Sequence, residues 1–184
     1  MNRLGLYRGV DISRKVIHLV GPVDVEMTYQ LIDGLTILRQ YSSELISDTD
    51  REEYSNRDIT IFLNTEGGEV SQAFAMYDII KQHDNIDICC CGPVMSAGMV
   101  ILQAARKRFA LPSVELMVHY GEEYNNTASN NRHNYKLFKD MKRVIESRVK
   151  VKPRTVNGWF KTETFFTAKE ALRYELIDGI TDVT

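Results

Sequence analysis

Apolar residues along this chain come in short β-branched runs, each followed by a turn and then by apolar positions at three- and four-residue spacing. Val16-Ile17-His18-Leu19-Val20 ends at Gly21-Pro22 and precedes Thr28, Leu31, Ile32, Leu35 and Leu38. The first pattern predicts a buried strand and the second one face of a helix. Ile59 to Leu63 ends at Asn64-Thr65-Glu66-Gly67-Gly68, and Val70, Ala73, Phe74, Tyr77 and Ile80 then mark the next helix face. Ile86 to Cys91 is a third strand, with Gly92-Pro93 leading through Met95-Ser96-Ala97-Gly98 into the apolar run Met99 to Ala105. A helix that is apolar all round is buried. Strand and helix alternating in this way predict an α/β fold with a mainly parallel sheet and crossover helices.

The remaining segments are more varied. Ser42 to Arg57 is polar, acidic and aperiodic, which predicts a surface loop or a loose helix extension. Arg108 to Leu111 and Glu115 to His119 read as short strands, and after a polar stretch come Leu137, Phe138, Met141, Val144 and Ile145 on one face of a long helix. Pro153 should end or precede any further helix, and Thr167-Ala168-Lys169-Glu170 is a capping-box sequence ahead of Ala171, Leu172 and Leu176. No repeat or linker divides the chain, so residues 1–184 are expected to form one domain.

Composition narrows the function classes. The 184 residues are 43% hydrophobic and 26% charged, with a formal net charge of −2, a balance that argues against disorder and gives no overall attraction to nucleic acid or anionic membrane. The uncharged stretch Ile88 to Ala105 contains Gly92, Pro93, Ser96, Gly98 and Gln103, which fits a buried strand, turn and helix better than a membrane span. The first residues, MNRLGLYRGVDISRK, lack the apolar stretch and small-residue cleavage site of a secretory signal, so a soluble, cytoplasmic chain is expected. The three cysteines are consecutive, Cys89, Cys90 and Cys91. Neighbours on a strand point to opposite faces and are poorly placed to bridge one another. Nor do they form a metal-ligand spacing with the four histidines, His18, His83, His119 and His133. No metal and no cofactor is expected.

Chemistry concentrates after the strands. Glu66-Gly67-Gly68-Glu69 and Ser96-Ala97-Gly98 each stand between a predicted strand and a predicted helix. Such turns aim backbone N–H groups outward, where they hold a phosphate, a carboxylate or the oxyanion of an acyl-transfer intermediate, or serve only as tight turns. Phosphate is the weaker option, since neither nucleotide-binding glycine pattern is present. Ser96 reads either as a nucleophile exposed at a sharp turn or as a helix N-cap. Val94 stands where the G-x-S-x-G elbow needs its first Gly, which disfavours an α/β-hydrolase. His119 lies at the end of an apolar strand, as a structural residue or as a base for Ser96, and Glu163 is one carboxylate that could orient it. The plain alternative for Glu163 is an exposed, solvated side chain.

These segments occur in the order found in the ClpP peptidase family, and from about Asp11 to Asp182 the chain resembles it. Leu63-Asn64-Thr65-Glu66-Gly67-Gly68 resembles the family's I-N-S-P-G-G turn, and Gly92-Pro93-Val94-Met95-Ser96-Ala97-Gly98 its G-x-A-A-S-M-G nucleophile segment. Arg108-Phe109-Ala110-Leu111-Pro112 matches R-F-A-L-P outright, and Glu115-Leu116-Met117-Val118-His119 resembles R-V-M-I-H. Phe165-Phe166-Thr167-Ala168-Lys169-Glu170-Ala171 with Leu176-Ile177-Asp178 matches F-x-S-A-x-E-A…L-I-D. The resemblance implies a ClpP/crotonase-like spiral of β-β-α units. It also implies a short N-terminal arm at about 1–10 and a protruding handle at about 120–150. It implies Ser96 as nucleophile, His119 as general base and then acid, Glu163 as the triad acid, and the N–H groups of Gly68 and Ala97 as oxyanion hole.

The chain departs from the family at several positions. Glu163 stands where the family has Asp, Glu66 where it has Pro, and His119-Tyr120-Gly121 where it has H-Q-P. The short arm ahead of the first strand argues against docking to a ClpX- or ClpA-like AAA+ unfoldase. The apolar stripe of the handle helix exceeds what so short a chain is expected to cover, which predicts a homo-oligomer. The resemblance implies stacked rings of seven around a chamber.

The reading reached from the sequence is a serine endopeptidase acting on peptides or unfolded proteins. The alternatives are a catalytically silent ClpP-like subunit acting as scaffold or regulator, motivated by Glu163, and a crotonase-fold acyl-CoA enzyme.

Overall fold

The computed structural model describes residues 9–44, 48–120 and 131–182. Most of the N-terminal arm and of the Asn- and Ser-rich stretch from Tyr120 to Asn134 lies outside the described residues. The elements run β1 (Val10–Asp11), β2 (Val16–Val20), α1 (Val25–Glu44), α2 (Asp48–Asn56), β3 (Ile59–Thr65), α3 (Val70–Lys81), β4 (Ile86–Met95) and α4 (Gly98–Ala104). They continue through β5 (Arg108–Ala110), β6 (Glu115–Val118), α5 (Asn131–Glu146), α6 (Pro153–Lys161), β7 (Thr164–Thr167), α7 (Ala168–Arg173) and β8 (Gly179–Ile180).

The strands join in one sheet of order β1-β2-β3-β4-β5-β8, and β6 extends it by pairing with β4 and β7. Pairing is parallel from β2 through β5 to β8, as strands joined by crossover helices require. The antiparallel pairs are β1 with β2 and β6 with β7. Alternate residues Ile17, Leu19, Ile61, Leu63, Ile88 and Cys90 are buried in the core with Leu31 and Leu38 of α1 and Ala73, Met76 and Ile80 of α3. At Gly34 a Cβ would lie 3.0 Å from the Ile17 side chain, so α1 packs directly onto β2. Every residue of α4 is buried, Gln103 included, as its apolar run predicts.

The structure adjusts three expectations. First, β4 does not stop at Cys91 but runs through Gly92-Pro93 to Met95. The register against β3 shifts between Leu63 and Thr65, so the Gly-Pro pair forms an irregularity inside the strand rather than its end. There β4 changes partners: Ile88 to Cys90 pair with β5, and Val94 and Met95 with β6.

Second, of the two readings of the acidic stretch the helical one holds: α1 runs to Glu44, and a separate helix α2 spans Asp48–Asn56. Tyr54 is buried and its hydroxyl donates to the Ile12 carbonyl at 2.7 Å. The buried Lys15 ammonium donates to the carbonyls of Ser55 (3.3 Å) and Arg57 (3.0 Å), closing the C-terminal end of α2. Tertiary anchoring thus makes a helix of a segment without apolar periodicity.

Third, the chain itself covers only part of the apolar stripe of α5: Phe138, Met141 and Ile145 are buried, Leu137 and Val144 are half-buried, and Tyr135 is exposed. Pro153 opens α6 in its first turn, and Thr167 and Glu170 form the expected reciprocal capping box at α7.

Candidate active site

The partner change of β4 sets the site. Because Met95 pairs with Met117, the Ser96 N–H donates to the Met117 carbonyl at 2.9 Å and the serine is fixed beside the end of β6. Ser96 has φ +52°, a conformation sparsely used by residues with a side chain. The chain therefore turns sharply between β4 and α4 and leaves the hydroxyl on the outside of the bend. Ser96 is not the cap of α4: that position is Ala97, which makes no side-chain cap hydrogen bond.

His119 directly follows β6, and its ring reaches back to the serine, with Nε2 2.9 Å from Ser96 Oγ. On the other side of the ring, Nδ1 lies 3.3 Å from Oε1 of Glu163. That glutamate sits between α6 and β7, and the antiparallel register of Val118 with Thr164 brings it beside His119. The Tyr120 N–H donates to the Phe160 carbonyl at 3.1 Å and ties the end of α6 to the same place. The Glu163 side chain is 62% exposed and that of His119 20% exposed, so the two carry very different amounts of solvent.

The two glycine-containing turns touch. A Cβ on Gly67, whose φ is +104°, would lie 2.8 Å from Ser96 Cβ and 3.3 Å from Ala97 N. Only a residue without a side chain allows this approach. The Thr65 hydroxyl accepts from the Gly67 N–H at 3.1 Å, and Val23 clamps the turn by donating to the Gly67 carbonyl (2.8 Å) and accepting from Glu69 N–H (2.7 Å). Gly68 takes φ +148°, and a Cβ there would run into the Val23 carbonyl. Among the described residues, nothing accepts from the N–H of Gly68 or of Ala97. Two free backbone donors on abutting turns beside a serine hydroxyl suit a developing oxyanion.

A model of the Clp protease family matches residues 8–184. The chain belongs to the Clp protease family. Among solved structures, the fold matches a mutant of ClpP1 from Listeria monocytogenes with a TM-score of 0.75. The two are 24% identical, and the match covers 94% of each chain. That likeness speaks for the mixed α/β architecture, and family membership places the chain among proteases.

All five residues singled out in the sequence lie within this one region, with Ser96, His119 and Glu163 in consecutive contact. Gly67, Thr65 and Val23 were not singled out. Gly67 was visible only as half of a Gly-Gly pair, and its task of admitting Ser96 depends on a contact between distant parts of the chain that no local pattern reports. Among the described residues no cluster of three His, Cys, Asp or Glu side chains could hold a metal ion. The cysteines are free thiols, with Cys89 and Cys90 buried. Burial pushes the Cys89 thiol up to about 11 and that of Cys90 higher still, so both stay protonated near neutrality.

Proposed function

We propose that this chain is a serine endopeptidase in which Ser96 is the nucleophile, His119 the general base and then acid, and Glu163 the residue that orients the imidazole. The observation that carries the reading is the 2.9 Å contact between His119 Nε2 and Ser96 Oγ, with Glu163 on the opposite ring nitrogen. With Glu163 holding a proton on Nδ1, Nε2 is left to accept the serine proton as Oγ attacks a peptide carbonyl. The free N–H groups of Gly68 and Ala97 receive the oxyanion. His119 then returns the proton to the leaving amine, and water repeats the sequence on the acyl-enzyme.

The substrates in this reading are peptides and unfolded proteins, and the working form is a soluble, cytoplasmic homo-oligomer of stacked seven-membered rings around a chamber. Residues 1–184 act as a single domain. Docking of an AAA+ unfoldase is not part of the proposal. The Ser96–His119 contact favours peptide hydrolysis over an acyl-CoA reaction, for which paired N–H groups alone would suffice.

Hydrolysis of an unstructured protein such as casein, measured for the assembled protein and for Ser96→Ala, tests the proposal. Loss of cleavage with assembly intact is expected; cleavage undiminished in Ser96→Ala would reject it. A second reading, a silent scaffold or regulatory subunit, is motivated by the exposure of Glu163 and by its 3.3 Å approach to His119, longer than a strong charge-assisted hydrogen bond. It predicts no cleavage by the starting protein and a gain of activity in Glu163→Asp.

A further inference from the structure

Glu66 has no part in the triad or the oxyanion hole, yet it departs from the family pattern, which has an uncharged Pro at this place in the turn. Its side chain is exposed, and among the described residues no Lys, Arg or His pairs with it. An exposed carboxylate without a counter-ion acts on any cation that comes within a Debye length of about 8 Å. What matters is therefore how close Glu66 stands to the reacting serine and on which face of the sheet.

The strand register answers the second point. Thr65 of β3 is the partner of Val94 on β4, and both are buried. Met95, the next residue of β4, is the partner of Met117 on β6. Leu116 and Val118 of β6 belong to the core, as Val94 does, whereas Met95 and Met117 do not. Side chains alternate along a strand, so Glu66, one residue past Thr65, falls beside Met95 on the face of Met117 and His119. The turn fixes the distance. A Cβ on Gly67 would lie 2.8 Å from Ser96 Cβ, and the Cα–Cα step back to Glu66 is about 3.8 Å. Glu66 Cα is thereby held within about 8 Å of Ser96 Cβ, about one Debye length at physiological salt. Gly68, whose N–H meets no acceptor among the described residues, follows two residues later. A peptide carbonyl seated between that N–H and Ser96 Oγ lies within reach of the Glu66 charge.

We propose that Glu66 is a specificity-determining residue: segments of polypeptide with Lys or Arg close to the scissile bond are cleaved in preference to neutral ones, and segments with Asp or Glu at the same place are disfavoured. The inference rests on the peptidase reading and adds the substrate class to it. The attraction is between exposed charges, so it is modest for each residue and screened by salt. Dependence on position separates it from the effect of net charge. The chain's overall charge of −2 acts alike on a cation anywhere in a peptide, whereas Glu66 acts on the residues that pass the turn. Glu69 is also exposed but lies beyond Gly68, at the start of α3, and serves as the comparison.

The test uses the assembled full-length protein and a set of internally quenched peptides built on one neutral sequence. A single Lys, or a single Glu, is placed in turn at each position flanking the cleaved bond, which is located by mass spectrometry. Each kcat/KM is divided by that of the neutral parent, so a general change in activity cancels. Lys should raise the ratio at least about threefold at one position or two neighbouring ones, and Glu should lower it there by a similar factor. Both effects should shrink as salt is raised from about 50 to about 300 mM. Glu66→Gln should bring both ratios close to unity, and Glu66→Lys should exchange them so that Glu is favoured. Glu69→Gln should retain the preference at the same position.

Equal kcat/KM for the Lys, Glu and neutral peptides, with cleavage abolished in Ser96→Ala, would overturn the proposal and leave the peptidase reading standing. A Lys preference of the same size at every position would assign the effect to net charge and overturn it too. So would a preference that persists in Glu66→Gln, or one lost as fully in Glu69→Gln. Cleavage of none of the peptides by the folded, assembled protein would overturn the peptidase reading and this inference together.

Discussion

Replacing Glu163 by Ala removes the carboxylate facing His119 Nδ1 and leaves Ser96 and the backbone donors in place. The size of the effect follows from the geometry. At 3.3 Å, a full charge pair is worth about 1.3 kcal/mol at the dielectric of water and about 5 kcal/mol at the effective value of 20 used for partly buried pairs. Glu163 is 62% exposed, so its interaction with the imidazolium formed during catalysis belongs near the lower figure, about 1–2 kcal/mol after solvent screening. This corresponds to a loss of about 5- to 30-fold in kcat/KM, far below the roughly 10⁴-fold associated with a buried triad acid. The assay is hydrolysis of a short neutral fluorogenic peptide by the assembled protein. The ratio of unsubstituted to Glu163→Ala activity should shrink as salt is raised, because an exposed pair is screened. Glu163→Asp shortens the side chain by one carbon–carbon bond, about 1.5 Å, and should also lower activity, since the backbone here is placed for Glu. A change under about twofold in Glu163→Ala, or one above about a thousandfold, would refute the reasoning. So would a rise in Glu163→Asp.

Gly67→Ala places a methyl group 2.8 Å from Ser96 Cβ at φ +104°; it should cost about 1–3 kcal/mol in stability and lower peptidase activity at least about tenfold, measured by thermal denaturation and hydrolysis together. Asp178 receives two bonds from the buried Arg108 guanidinium, at 2.9 and 2.5 Å. Burial raises the Asp178 carboxyl pKa, and the Arg108 hydrogen bonds and charge outweigh this, leaving it lowered on balance. The corresponding stability is therefore fully present above the unfolded-state value of about 4 and is lost as pH falls through the lower folded value. Asp178→Asn should destabilise by about 2–3 kcal/mol at pH 7, less than a fully buried pair because Asp178 is 38% exposed. It should also flatten the dependence of Tm on pH below about 4. Iodoacetamide at pH 8 should leave Cys90 unmodified in the native protein, as mass spectrometry of the digested protein would show, because its buried thiol stays protonated.

The strands β2 and β3 and the helix α4 were legible because each is a local pattern: a β-branched run before a turn, or an uncharged, mainly apolar segment. The segment that became α2 was not, since nothing in Asp48 to Asn56 announces that Lys15 and Tyr54 will fix it. The continuation of β4 through Gly92-Pro93 was hidden for a related reason. Gly-Pro is a turn signal in isolation, and only the second partner strand β6 makes it an irregularity within a strand. Motifs that served only as resemblance acquired causes: Arg108 of R-F-A-L-P and Asp178 of L-I-D are the two halves of one ion pair, completed by Gln103, whose Oε1 accepts from Arg108 at 2.5 Å. For the site, residue types and order along the chain named Ser96, His119, Glu163, Gly68 and Ala97. The close packing of Gly67 on Ser96 and the exposure of Glu163 are three-dimensional facts that a one-dimensional reading does not contain. The stripe on α5 divides: Phe138, Met141 and Ile145 are buried within the chain, whereas Leu137 and Val144 are only half-buried, a distinction that helical spacing alone does not make.

The activation of Ser96 by His119 is the claim on which the rest depends, and labelling with a fluorophosphonate probe tests it most directly. The assembled protein is treated with the probe, and the modified residue is located by peptide mass spectrometry beside Ser96→Ala and His119→Ala. The account predicts modification of Ser96, none elsewhere at comparable rate, and at least about a hundredfold slower reaction in His119→Ala. A folded, assembled protein that takes up no label, or that labels Ser96 equally fast without His119, would contradict it.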